Sequence, residues 1–171
     1  MPALKDDLEI IERLHAAATL QDAELTAVEL FEAELNALVQ RLFRTDDHAV
    51  KYAVKPLLDS SGPLGNLRVR LKLTFALGII TQEAYQDMER VIKLRDQVKK
   101  DRRKFSFTSA EALKAIKKIG LIQRAISASE KDTDIAFNNI HMARQEQIIR
   151  SAFALAIAAI CAELNKKTPL F

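Results

Sequence analysis

Three histidines, one cysteine and a dense run of cations are the side chains whose chemistry could reach beyond folding. His15, His48 and His141 fall on different expected elements. None has a histidine or carboxylate four residues on to place two ligands on one helical face, so no metal site is expected. His48 stands beside Asp46 and Asp47, whose role is explained by helix capping. Cys161 lies among Ile160 and Ala162 in an apolar stretch, where burial suppresses the thiolate that reactive cysteines need. No glycine-rich phosphate loop, serine nucleophile elbow or zinc spacing occurs, so neither a catalytic residue nor a cofactor is assigned.

The cations offer a different chemistry, the recognition of anions. From Arg90 to Arg124 twelve bases face three acids (Asp96, Asp101 and Glu111), whereas residues 1 to 40 hold nine acids and two bases. The formal net charge of +3 conceals this asymmetry. Arg95, Lys99, Lys100, Arg102, Arg103 and Lys104 are the densest part and could neutralise phosphates with release of counterions, giving affinity that falls steeply with salt. The plainer alternative is a solvated face partly balanced by the acidic half.

These residues must be carried by helices. Only four Gly and four Pro punctuate 171 residues rich in helix formers, which predicts an all-α fold of about seven helices in a single domain, residues 1–171. Leu4, Leu8, Ile11 and Leu14 mark a short first helix. After Asp22 as cap, Leu25, Val28, Leu30, Phe31, Leu35, Leu38, Val39 and Leu42 mark a long second one, with Glu24, Glu29, Glu32 and Glu34 largely off its stripe. Asp46 or a neighbour caps a third helix, which Pro56 should end or kink. Pro63 suits the first position of a fourth, and Gly78 its stop.

Thr81 caps a fifth helix that carries the cations toward Lys104, and Phe105 to Phe107 reads as a brief extended piece. Thr108 and Glu111 have the spacing of a capping box for a helix through Ile119. Gly120 either interrupts that helix or is absorbed at a cost of about 1 kcal/mol. A loop is expected from Ser127 to Asp134, followed by a helix from Ile135 to about Lys166 with an Ala-rich final half. That last helix is apolar on nearly every face, so it needs cover from its own domain or from a second copy in a homodimer.

The longest apolar run, Ala152 to Ala162, is about half of the roughly 20 residues that cross a bilayer, and no signal-peptide pattern opens the chain. With a single cysteine, a cytoplasmic protein without a membrane partner is expected. A DNA-reading helix does not stand out: the connection from Leu57 to Gly62 is longer than a helix-turn-helix uses.

The most distinctive stretch is Thr45 to Ile80, TDDHAVKYAVKPLLDSSGPLGNLRVRLKLTFALGII. Its Asp46–Asp47 pair, VKYAV at 50–54, PLL at 56–58, GPLG at 62–65, VRLKL at 69–73 and Leu77–Gly78 resemble the mannitol operon repressor family of bacterial proteins. The acidic second helix and the Ala-rich last helix look like the family too. The resemblance implies an all-helical transcriptional repressor of the genes for mannitol uptake and use. It acts on operator DNA directly, or through a transcription or sugar-transport protein; the alternative is an interaction regulator that never binds DNA. Within the shared segment, Lys51, Tyr52, Lys55, Arg68, Arg70 and Lys72 are expected as a cationic rim for phosphate or an acidic partner.

Overall fold

The computed structural model describes residues 2–129 and 142–166, and among them every regular element is helical. The order is α1 (Pro2–Ala16), α2 (Leu20–Gln40), α3 (Asp47–Ala49), a π-helical stretch (Val50–Val54), α4 (Lys55–Leu58), α5 (Leu67–Ala76), α6 (Gln82–Lys100), α7 (Ala110–Ile116), α8 (Gly120–Ser129) and α9 (Met142–Asn165). The segment from Asp47 to Leu58 is one continuous rod. His141 and residues 135–141 of the expected last helix lie outside the described residues.

Local chemistry sets most of the ends. Thr19, not Asp22, caps α2: its hydroxyl accepts from the Asp22 N–H at 3.1 Å and donates to the Asp22 carboxylate at 2.8 Å. Asp46 caps α3 by accepting from the Ala49 N–H at 3.0 Å. Pro56 does not end the rod. Its ring crowds the preceding turn, and the backbone widens over Val50–Val54, where the Lys55 N–H bonds the Val50 carbonyl, before tightening into α4.

Pro63 falls in a turn, and α5 begins later than expected, behind an Asn66 cap that accepts from the Arg68 N–H at 2.8 Å. The delay has a cause: the Leu64 N–H is still held by the Leu57 carbonyl at 2.8 Å, so the chain has not finished turning. Gly78, at φ 71°, stops α5 in a Schellman motif, its N–H bonding Phe75 O at 2.9 Å and that of Ile79 bonding Thr74 O at 3.0 Å.

Thr81 caps α6 as expected, accepting from the Ala84 N–H at 3.2 Å. That helix, whose end the sequence leaves open, closes at Lys100. Phe105 to Phe107 is irregular rather than extended, and Phe107 is buried edge-on against Phe153. Ser109 rather than Thr108 caps α7, and Gly120 opens α8 instead of being absorbed.

The centre is a layer of α2, α6 and α9, whose directions follow from three ties. Arg150, near the start of α9, donates to the Ala17 and Ala18 carbonyls just before α2 at 2.5 and 2.6 Å. Arg41, past the end of α2, donates to Leu164 O near the end of α9 at 3.1 Å. These two helices therefore run parallel. Thr81, before α6, donates to Glu163 late in α9 at 2.6 Å, so α6 runs opposite to both. Phe31, Leu35, Met88, Ile92, Phe153 and Ile157 fill the space between them, and α1 covers a second side of α9.

By length and composition alone α9 could cross a membrane, with 22 residues from Arg144 at mean hydropathy 1.6. Phe153, Ala154, Ile157, Ile160, Cys161 and Leu164 are instead buried inside the protein. Cover is incomplete, since Ile148 and Leu155 on this helix stay exposed.

A buried acid fixes the start of α8. Asp87 on α6 is 1% exposed and accepts from the Gly120 N–H at 2.8 Å and from Arg90 at 2.7 Å, satisfying an orphan amide at a helix start. Asp87→Ala is expected to cost about 2–3 kcal/mol, because a buried amide then lacks an acceptor. Urea unfolding would measure the loss, and hydrogen exchange should place the loosening in α8.

Candidate functional site

The end of α6 and the start of α2 meet because these helices are antiparallel, which brings the basic and acidic parts of the sequence face to face. Between them lies a cavity of about 250 Å³ lined by Gln21, Glu24, Leu25, Arg95, Asp96, Lys99 and Arg102. Three of the six cations singled out in the sequence, Arg95, Lys99 and Arg102, thus share one wall. The other three, Lys100, Arg103 and Lys104, are exposed and do not line it.

Asp96 organises that wall. It accepts two hydrogen bonds from Arg95, at 3.2 and 3.0 Å, and one from Arg68. Burial by itself would push the Asp96 carboxyl up, but the hydrogen bonds and charges of Arg95 and Arg68 outweigh it and hold the group below its ordinary value. With its guanidinium turned to Asp96, Arg95 makes no hydrogen bond to Glu24.

Glu24 is the residue that sequence reasoning misplaced. Expected off the apolar stripe, it is fully buried, and neither carboxylate oxygen has a hydrogen-bond partner. Burial raises its pKa to about 8 against a weaker lowering by the Arg95 charge, so near neutral pH the group holds its proton to a large extent. The spacing contained the signal: Glu24 stands four residues after Leu20 and seven before Phe31, both buried on the same face.

The rim expected from the shared segment is not gathered in one place. Lys51 lies over the exposed Tyr52 ring at 5.2 Å, and Tyr52 also meets His48 with ring centroids 4.7 Å apart. Lys55 lines a second cavity, of about 430 Å³, with Asn36, Gln40, Arg44, Thr45 and Asp59. Arg68 is paired to Asp96, and Lys72 is exposed.

Arg70 is a correction. It is 5% exposed and donates to the Gly65 carbonyl at 3.0 Å and to Glu32 at 3.3 Å, holding the turn before α5 against α2. Its long stem favours burial once the head finds such acceptors, so it leaves the accessible rim.

A third groove, of about 500 Å³, runs between α6 and α7 with Arg90, Lys93, Lys114 and Lys118 against the single acid Glu111. His15 and His48 are exposed, and among the described residues no three His, Cys, Asp or Glu side chains converge as a metal site requires. Cys161 is buried, and that burial, with the nearby charges of Glu34 and Asp7, pushes its thiol up to about 12.

Comparison with known proteins identifies the family. The profile of the MtlR mannitol repressor family matches residues 6–165. The mannitol operon repressor of Escherichia coli K12 is 36% identical over 159 residues, covering 92% of this chain and 82% of that protein. MtlR in the X-ray structure of the MtlR–HPr complex from Escherichia coli superposes with a TM-score of 0.78 at 32% identity, over 94% of this chain and 98% of that one. A shorter similarity, 36% over 89 residues and 52% of each protein, is to fumarase E of Shigella flexneri. Since both the profile and the superposition extend over nearly the whole length, the chain belongs to the mannitol repressor family.

Proposed function

We propose that this protein is a cytoplasmic regulator, a single helical domain that represses genes for mannitol uptake and use, and that the exposed end of α6 is where it meets its partner. Family membership supports the repressor reading. The surface reading is carried by one observation: Lys99, Lys100, Arg102, Arg103 and Lys104 are all exposed within six residues. Among them Lys104 alone forms an ion pair among the described residues, with Asp101 at 3.8 Å. Such unneutralised charge suits the phosphates of operator DNA.

A protein partner of the sugar-transport kind is the second reading, supported by the related Escherichia coli protein having been solved with HPr. The fumarase E similarity spans half of the chain and carries no activity to it. An enzymatic reading would need carboxylates, His48 or Arg70 gathered into a deep pocket; His48 is exposed beside Tyr52, and Arg70 is bonded to Gly65 and Glu32.

Reversing Lys100, Arg103 and Lys104 to glutamate separates these readings. If DNA is touched directly, operator binding measured by gel shift should weaken by at least about tenfold and lose part of its salt dependence. Loss of HPr binding in the same variant, with no operator binding by the parent protein, would select the protein partner. Unchanged binding to both would remove this surface.

A further inference from the structure

We propose that the cavity between α2 and α6 binds a small phosphorylated polyol, with Lys99 and Arg102 taking the phosphate and Glu24 and Gln21 taking hydroxyl groups. The two halves of the cavity differ in character, and each lacks something. On the α6 side, Arg95 is committed to Asp96, which leaves Lys99 and Arg102, exposed and without an ion pair among the described residues, free for an anion. On the α2 side, Glu24 keeps two oxygens without a donor, closed to solvent in the free protein, so its side chain must turn toward the cavity for a ligand hydroxyl to reach it.

A buried carboxyl left unbonded is costly, and cavities that hold one are where ligand groups complete the bonding. A hydroxyl group suits it in either protonation state, because it both donates and accepts. A volume of about 250 Å³ lies just below the roughly 300–1,000 Å³ of drug-sized ligand pockets, which restricts the occupant to a molecule of small-metabolite size. A nucleic acid strand laid across Lys99 and Arg102 would satisfy the cations and leave Glu24 as it is.

The choice of a mannitol derivative rests on the proposed function, whereas the phosphate and hydroxyl roles rest on geometry. Calorimetric titration of the full chain with mannitol 1-phosphate, glucitol 6-phosphate, mannitol and inorganic phosphate tests both. Mannitol 1-phosphate is expected to bind, with mannitol and inorganic phosphate at least about tenfold weaker. Lys99→Glu and Glu24→Leu should each weaken it by about tenfold or more. Glu24→Leu should at the same time raise the melting temperature of the free protein, so lost binding there would not be lost folding.

The K100E/R103E/K104E variant, none of whose substituted residues lines the cavity, should bind the ligand normally, which distinguishes the cavity from the part of the partner surface that those three carry. Binding of glucitol 6-phosphate in place of mannitol 1-phosphate would retain the site and remove the mannitol reading. Absence of binding by either phosphorylated polyol, equal binding of inorganic phosphate, or undiminished affinity in Glu24→Leu would overturn the proposal.

Discussion

Glu24→Leu is expected to make the protein more stable at pH 8, by about 2 kcal/mol or more, and to remove most of the pH dependence of stability between pH 5 and pH 8. In the unfolded chain Glu24 titrates near its ordinary value of 4.5, and in the fold near 8. Between these values the folded protein holds a proton that the unfolded chain has released. The contribution is therefore complete below about pH 4.5, declines as pH rises, and levels off above about pH 8. At about 1.4 kcal/mol per pH unit, that span sets a ceiling of about 5 kcal/mol. Leucine keeps much of the volume and removes the titrating group. Urea unfolding at pH 5, 6.5 and 8 would measure both slopes, and equal slopes in parent and variant would refute the assignment.

Asp96 acts in the opposite direction and in a separate window. Its carboxyl is held below the ordinary 3.8, so the stability it contributes is present above that value and lost as pH falls through the folded pKa. The two groups sit on one cavity and oppose each other, which is why the Glu24 effect should be read above pH 5.

The second large effect is expected at Gly62. A Cβ built there would stand 2.2 Å from the Pro56 carbonyl oxygen and 2.6 Å from that of Leu57, both backbone atoms that cannot swing aside. Gly62→Ala should cost at least about 3 kcal/mol, because the turn must open to admit a methyl group. Opening it would break the Leu64-to-Leu57 hydrogen bond and disturb Gly65, whose carbonyl receives Arg70. Gly78→Ala provides the contrast. Nothing lies within 4 Å of a Cβ there, so the cost is confined to the left-handed backbone at φ 71° and should be about 1 kcal/mol. Chemical denaturation of the two variants should show that ordering, and equal losses would mean that the close approach at Gly62 is relieved in solution.

Both effects show what was legible before the fold was known. Asp46, Thr81 and Gly78 could be assigned as caps and stop because each satisfies backbone groups within a few residues of itself. Gly62 could be recognised as a turn residue, but not as a collision point, since the approach of the Pro56 and Leu57 carbonyls is set where the chain folds back after the rod and the Leu64 N–H bonds the Leu57 carbonyl. The late start of α5 was missed for the same reason: Pro63 is acceptable as a first helical residue until Leu57 claims the Leu64 amide.

The charged residues divide in the same way. Their signs and their concentration, acids in residues 1–40 and bases in residues 90–124, were plain, and so was the resemblance carried by residues 45–80. The expectation that Arg70 and Glu24 face water is nevertheless overturned, and nothing in its local sequence marks Asp87 as buried. Arg70 finds Glu32 38 positions away, and Asp87 finds Gly120 33 positions away, separations at which no periodicity speaks.

By itself the sequence determined that the chain is helical, the ends at Asp46, Gly78 and Thr81, and the family, because those follow from backbone chemistry within one or two turns and from an ordered series of motifs. Only the tertiary structure decided which charges are buried and which of them share a cavity. The helical period tells on which face of α2 Glu24 stands and on which face of α6 Lys99 stands. That the two faces oppose one another follows from the antiparallel packing of α2 and α6, in which Glu24 is left without a hydrogen-bond donor.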